Sequence, residues 1–419
     1  MLVDTGCGWV GKGPKILPLR LQAQVVDGWL KHRLDNLLPQ LMRREQFDMW
    51  VVTGREYNED PVLLTLLPAA MLSARRRTIL VFCLCPDGTV ERLALNRTDL
   101  GDLYSGVWDP DREDQWECLG RLVRERDPGS IGVNYSETFA LGDGLSYSEH
   151  GQLVRALGPV YVLRARSAEK LAVGWLEKRS GPELDAYTGI VELAHQIVAE
   201  AFSSRVVHPG VTTVDDVSWW IRQRIHDQGF RAWFHPTVSL QRHGEMGDVI
   251  RPGDLLHCDV GLMYLGLATD TQQHAYVLRM GEQDAPGGLK AALATGNRLQ
   301  DILAGEFVAQ RTGNEILARA LDKARSEGIK ASIYTHPLGY HGHGAGPVIG
   351  LWDMQRGVPG RGDYPLYGDT CHAMELNIHQ AVPEWGGQEI RIALEQDIVF
   401  SRGTVHYLAG RQTAFHLIA

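Results

Sequence analysis

The stretch HCDVGLMYLGLATDT, residues 257–271, decides how this chain is read. Two apolar β-like runs flank a turn, and Asp259 and Asp270 interrupt them eleven residues apart. Directly opposed residues of an antiparallel pair have numbers with a constant sum. A turn centred on Tyr264–Leu265, beside Gly266, sets the two aspartates opposite each other, with Cβ atoms about 5 Å apart. Two unscreened carboxylates that close repel. Asp259 also continues the apolar run LLHC, which argues against a solvated strand end. On the pair alone, a metal site and a solvated face are equally good readings.

Three later stretches add groups of the same kind. YTHPLGYHGHGAGP (334–347) carries His336, His341 and His343 among Gly339, Gly342, Gly344 and Gly346. Such glycines let a backbone approach something closely. Glu375 in HAMELNI and Glu395 in IRIALEQDIVF each interrupt an apolar strand pattern. Alternation on 389–400 puts Glu389, Arg391, Ala393 and Glu395 on one face and Ile390, Ile392 and Leu394 on the other. Each glutamate alone reads as exposed. Together, four carboxylates and an imidazole in apolar surroundings need a compensating cation. Oxygen-rich ligands with one imidazole suit Mn2+, Zn2+ or Co2+, and bridging carboxylates point to two ions about 3.5 Å apart.

The rest of the chain supplies the frame. Its 419 residues, 44% hydrophobic and 22% charged, are those of a soluble globular protein of two or three domains. Net charge is -9 and no basic tract tracks phosphates, which argues against nucleic acid. RRR at 75–77 reads as a solvated strand end. No run of about 18 apolar residues argues for a membrane span. Cys7, Cys83, Cys85, Cys118, Cys258 and Cys371 fit no zinc or disulfide framework, so a reducing, cytoplasmic setting is expected. MLVDTGCGWVGKGPK is no evident signal peptide.

Helical periodicity over 20–46 and strand patterns at 47–54, 78–85 and 90–95 open the chain. A helix at 111–126, a strand at 130–135, a helix at 151–158 and a strand at 160–165 follow. This alternation predicts an α/β domain over 1–172. Helices at 180–204, 212–229, 288–305 and 312–328, with β-runs between and after them, predict an α+β domain over 173–419.

The order Asp259, Asp270, His336, Glu375, Glu395 resembles the pita-bread metallopeptidases: Xaa-Pro aminopeptidases, Xaa-Pro dipeptidases (prolidases) and methionine aminopeptidases. GDLLHCDVG resembles the family's first-aspartate strand, and Gly339 and His343 follow His336 at the family's spacing. The match covers roughly 250–401. The layout also fits the subgroup with a creatinase-like N-terminal domain. The resemblance implies a pita-bread domain, a curved antiparallel sheet flanked by helices. It implies that Asp259, Asp270, His336, Glu375 and Glu395 bind two divalent ions, Mn2+ foremost. It makes Glu375 the proton acceptor and His343 the contact to substrate or oxyanion. A further family histidine upstream is matched by His243, or second by His235, as a catalytic and substrate-binding residue. His341 has no counterpart and is read as facing solvent.

The chain departs from the family at three places. Ser332 stands where a histidine is common, Leu376 follows Glu375 where proline is common, and Ala393 replaces an arginine. Arg391, one step along the same strand face, is the substitute for substrate binding. Tyr334, Tyr340 and Trp352 are candidate walls for a proline ring. The implied activity is hydrolysis of Xaa-Pro bonds in dipeptides or short peptides by a homodimer. The rivals are a dimethylsulfoniopropionate lyase on the same fold and a non-catalytic peptide- or protein-binding relative.

Overall fold

The computed structural model describes residues 16–244 and 247–419. The stretch MLVDTGCGWVGKGPK, with Cys7, lies outside the described residues. Two compact units cover Leu17–Ser180 and Gly181–Ala419.

The first unit is built on a six-stranded sheet. Its spatial order is Ser105–Gly106, Val90–Leu95, Arg77–Leu84, Met49–Arg55, Ile131–Val133, Ala165–Ser167. The hairpin read at 78–95 is antiparallel, and Arg75 and Arg76 are exposed just before its first strand. Met49–Arg55 runs parallel to Ile131–Val133, as helical crossovers require. Met49, Val51, Ile79, Val81 and Ile131 pack against Trp116, Leu119, Leu122, Leu153 and Leu157 of two helices. The strand expected at 160–165 is not there. Helix continues from Tyr147 to Val162, broken at Gly158, whose φ of 68° reverses the chain locally. Pro159 then restarts the helix, where its fixed φ suits a first turn. The strand begins only at Ala165.

The second unit places four helices around a nine-stranded sheet. The helices are α1 (Gly181–Ala201), α2 (Val214–Asp227), α3 (Gly287–Ala304) and α4 (Gly313–Ser326). Thr213 and Thr312 start α2 and α4 as capping boxes with Asp216 and Glu315. The strands are β1 (Thr237–Gln241), β2 (Leu255–Val260), β3 (Thr271–Val277), β4 (Lys330–Ile333), β5 (His336–Leu338), β6 (Thr370–Val382), β7 (Gln388–Ser401), β8 (Thr404–Tyr407) and β9 (His416–Ile418). The main path runs β4-β6-β7-β3-β2-β1; β5 pairs with β6, β8 with β7 and β9 with β3. Met374, Leu376 and Ile378 of β6 and Ile390, Ile392 and Leu394 of β7 join Leu293, Ile302, Ile316 and Leu317 of α3 and α4 in one core. Their odd-numbered neighbours therefore line the opposite face. No helix among the described residues is long and apolar enough to cross a membrane.

The register of β2 and β3 corrects one expectation. Asp259 pairs with Gln272, not with Asp270. The same constant sum continues to Tyr264↔Leu267, so the turn centres on Leu265–Gly266. Both residues have positive φ, 52° and 77°, which is the pattern of a two-residue hairpin turn matched to strand twist. The shift is by two residues, so both aspartates still point to one face.

Candidate metal centre

Register alone assembles a polar row across four adjacent strands. Asp259 of β2 pairs with Gln272 of β3, Gln272 with Glu395 of β7, and Glu395 with Glu375 of β6. Two residues along lies a second row. Asp270 precedes β3, Asp397 pairs with Ala373, and Ala373 pairs with His336 of β5. Both rows sit on the face turned away from the helical core.

All five expected ligands meet. Asp259, Asp270 and Glu395 bring oxygens within 4.8 Å of one another, and so do ligand atoms of His336, Glu375 and Glu395. His336 Nδ1 lies 3.2 Å from the Pro337 carbonyl, which leaves Nε2 facing inward. Nε2 is 3.5 Å from both Asp270 Oδ2 and Glu395 Oε1. Asp259 Oδ1, Asp270 Oδ1 and Glu395 Oε1 are buried with no hydrogen-bond partner among the described residues. Orphaned buried carboxylate oxygens are costly, and a divalent cation answers all three at once. The residues present fit a metal.

The electrostatics agree. Burial, with Glu375 beside it, pushes the Asp259 carboxyl up to about 7. Burial and then Asp259 hold Asp270 well above the carboxylate range, and burial and then Asp270 do the same to Glu395. Burial also raises Glu375. For His336, burial pulls the imidazole down, but the Glu395 carboxylate and its neighbours outweigh it and the net shift is upward.

His343 joins the edge of this cluster. Its ring centroid is 4.7 Å from that of His336 and 5.1 Å from that of Trp233. Burial and then His336 push its imidazole down to about 4. A Cβ on Gly342 or Gly261 would meet the Trp233 ring at 2.2 or 2.1 Å, so these glycines admit the indole. Tyr334 lies against both histidines, at 5.4 and 6.1 Å, whereas Trp352 is exposed. Tyr340 is turned to Glu183 of α1, 3.0 Å away. His341 is not in the cluster.

His243 is not brought in, contrary to the sequence expectation. It is exposed in the turn after β1, with Nδ1 3.3 Å from Gln388 Oε1. Gln388 begins β7, seven residues and on the order of 23 Å from Glu395. His235 packs on Trp219 of α2, and its Nδ1 lies 3.2 Å from Arg222. Arg391 is exposed, and its side chain makes no hydrogen bond or ion pair among the described residues. Its charge is nonetheless felt at Asp259 and Glu375, where it favours the ionised forms.

Three site residues escaped the sequence reading. Gln272 donates from Nε2 to Glu375 Oε1 at 2.9 Å and to Glu395 Oε2 at 3.0 Å. His257 Nε2 lies 2.8 Å from Gln272 Oε1. Asp397 accepts the backbone N–H of Asp270. Each lies two residues from a ligand, so period-two alternation carried the signal.

Comparison with known proteins follows this geometry. The structure is similar to the Xaa-Pro aminopeptidase of Thermotoga maritima, with a TM-score of 0.63 and 15% identity over 91% of this chain and 100% of that one. It is similar to the Xaa-Pro dipeptidase of Bacillus anthracis, with a TM-score of 0.61 and 15% identity over 96% and 100%. It is similar to the prolidase of Pyrococcus horikoshii, with a TM-score of 0.57 and 13% identity over 94% and 99%. The fold is the pita-bread fold with its N-terminal α/β unit. No curated protein matches the sequence. Residues 189–401 match the model of metallopeptidase family M24 and contain all five clustered ligand candidates. By that match, over half its length, the chain belongs to the M24 metallopeptidases.

Proposed function

We propose that this chain is a metal-dependent peptidase that hydrolyses Xaa-Pro bonds of dipeptides or short peptides. The observation that carries this is the convergence of Asp259, Asp270, His336, Glu375 and Glu395 around three buried, unpartnered carboxylate oxygens. Asp259, Asp270 and Glu395 would hold one ion, and His336, Glu375 and Glu395, with Asp270, a second. Hard oxygen donors with a single imidazole favour Mn2+. Bound there, the ions would supply a Lewis acid that brings the pKa of water toward neutrality.

The chain's own groups do the rest. Glu375 takes the proton of the attacking water at Oε2, because Gln272 engages its Oε1. It then passes that proton to the leaving nitrogen. His343, neutral at pH 7, donates an N–H to the developing oxyanion. Tyr334 and Trp233 wall the space beside His343 with aromatic surface suited to a proline ring. Arg391, with its guanidinium uncommitted, binds a substrate carboxylate at the rim. The reading includes a homodimer, as the family resemblance implies, and a reducing, cytoplasmic compartment, as the cysteine spacing suggests.

The test is cleavage by Mn2+-reconstituted protein of Xaa-Pro dipeptides, Xaa-Pro-Xaa tripeptides and, as a control, dimethylsulfoniopropionate. Hydrolysis on the amino side of proline is expected, and the dipeptide-to-tripeptide ratio assigns dipeptidase or aminopeptidase. Full metal occupancy without peptide cleavage, or lyase activity alone, overturns the proposal.

A further inference from the structure

At the centre of the first row stands a neutral residue, Gln272, 3% exposed between four ionisable neighbours. A carboxamide has two N–H donors on one side and one acceptor oxygen on the other. Here both hydrogens go to carboxylates, Glu375 Oε1 and Glu395 Oε2. The oxygen faces His257 Nε2 at 2.8 Å. Rotating the amide by 180° would set its oxygen against two carboxylates, so one orientation survives, and its oxygen then selects the tautomer of His257 that carries the proton on Nε2. His257 is itself steadied, with Nδ1 3.5 Å from Ser239 Oγ. The chain Ser239–His257–Gln272 thus ends in a fork that grips two glutamates.

The fork is selective. Gln272 touches both glutamates and makes no side-chain hydrogen bond to Asp259 or Asp270. It splits the functions of Glu395 between its oxygens: Oε2 accepts from the amide, while Oε1 lies 3.5 Å from His336 Nε2 without a hydrogen-bond partner. Two glutamates paired directly across strands repel when both are ionised, and a shared pair of donors offsets that. A bond to one carboxylate oxygen also removes a side-chain rotation that metal binding would otherwise have to freeze.

Resting on the metal-centre reading above, we infer that Gln272 is a positioning residue, keyed by His257, that presents Glu375 and Glu395 to the ion on the His336 side. The Asp259–Asp270 side draws on it only through Glu395, which the two sides share, since neither aspartate bonds to the amide. Hydrogen bonds that orient ligands in this way are worth roughly 10- to 100-fold in metal affinity.

The experiment is a calorimetric Mn2+ titration, with elemental analysis of bound metal, on wild type, Gln272→Leu and His257→Leu. Leu fills the same space without donors. The expected result is a fall of tenfold or more in one of two binding steps in Gln272→Leu, with the other step within threefold of wild type. His257→Leu, which removes the partner of the amide oxygen and so loosens the fork, shows the same split in smaller measure. A structural role alone would move the melting temperature of the metal-free protein without separating the two steps. Unchanged binding in Gln272→Leu, or equal weakening of both steps, overturns the inference. Absence of Mn2+ from wild type overturns the metal-centre reading instead.

Discussion

The carboxylate of Asp397 accepts the backbone N–H of Asp270, at 3.1 Å to Oδ1 and 3.3 Å to Oδ2. Strands β3 and β7 share one register pair, Gln272↔Glu395. One step along, a side chain replaces the ladder. That bond fixes the backbone from which the Asp270 carboxylate projects. Burial holds the Asp397 carboxyl well above the usual range, in keeping with its enclosed place behind the cluster. Asp397→Ala orphans a buried N–H, which costs about 1–3 kcal/mol. It should lower the denaturation midpoint and weaken Mn2+ binding about tenfold. Asp397→Asn keeps an acceptor oxygen and should stay near wild type in both measurements.

Protons should leave when metal enters. The Asp259 carboxyl sits at about 7, and Asp270 and Glu395 are held well above their ordinary values. Near neutral pH the metal-free cluster therefore carries protons that coordination must displace. Apparent Mn2+ affinity should rise from pH 6 to pH 8, with proton release visible as buffer-dependent heat in calorimetry. The same shifts set the stability of the metal-free protein. A carboxyl whose folded pKa is raised binds more protons folded than unfolded between the two values. The contribution of these carboxyls to stability then falls as pH rises toward and through about 7. The imidazoles of His257, His274, His343 and His372, which burial holds low, contribute in the opposite direction. In metal-free protein, Asp259→Asn should remove part of the fall. Flat affinity across that window would contradict the assignment of these groups as ligands.

Why the five ligand candidates were legible while their arrangement was not is a matter of register. Each interrupts an apolar run, and an interrupted run is visible in one dimension. The pairing of Asp259 depends on the turn, and Tyr264–Leu265 and Leu265–Gly266 differ by only one residue in centre. The positive φ of Leu265, unusual for a non-glycine residue, decided it. Gln272 and Asp397 were missed because a glutamine and a second aspartate near a ligand look like ordinary strand polarity until four strands are aligned. His243 was chosen by position alone, and the end of β1 at Gln241 carries it away from the cluster. The strand misplaced at 160–165 has the same origin: apolar VYVL suits either state, and Gly158–Pro159 restarts a helix there instead.

Arg391 should act on substrate capture, not on turnover. Its exposed guanidinium has no partner among the described residues, yet its charge reaches Asp259 and Glu375. A charge-assisted hydrogen bond to a substrate carboxylate is worth about 1.5–3 kcal/mol. Arg391→Ala should raise KM for Xaa-Pro dipeptides by roughly 10- to 100-fold with kcat largely kept. Amidated dipeptides, which lack that carboxylate, should show little difference between variant and wild type. An equal loss on both substrates would assign Arg391 to the general field of the site.

Glu375→Gln, assayed at Mn2+ concentrations that keep the site loaded, separates proton transfer from packing. The residue pairs directly with Glu395 on neighbouring strands and is half-buried, so an isosteric amide keeps the packing. Gln272 then faces the amide of the variant, whose oxygen still accepts the 2.9 Å bond made by Glu375 Oε1. The amide's other end is an NH2, which cannot take a proton from water. Far-UV dichroism and the melting temperature should stay close to wild type. Turnover should fall by at least 10²- to 10⁴-fold, the usual worth of a positioned general base. Added formate or azide, small bases able to enter beside residue 375, should restore part of the rate if only the base is missing. Hydrolysis at the wild-type rate would remove Glu375 from the proton pathway, leaving it as a ligand of the His336 side alone.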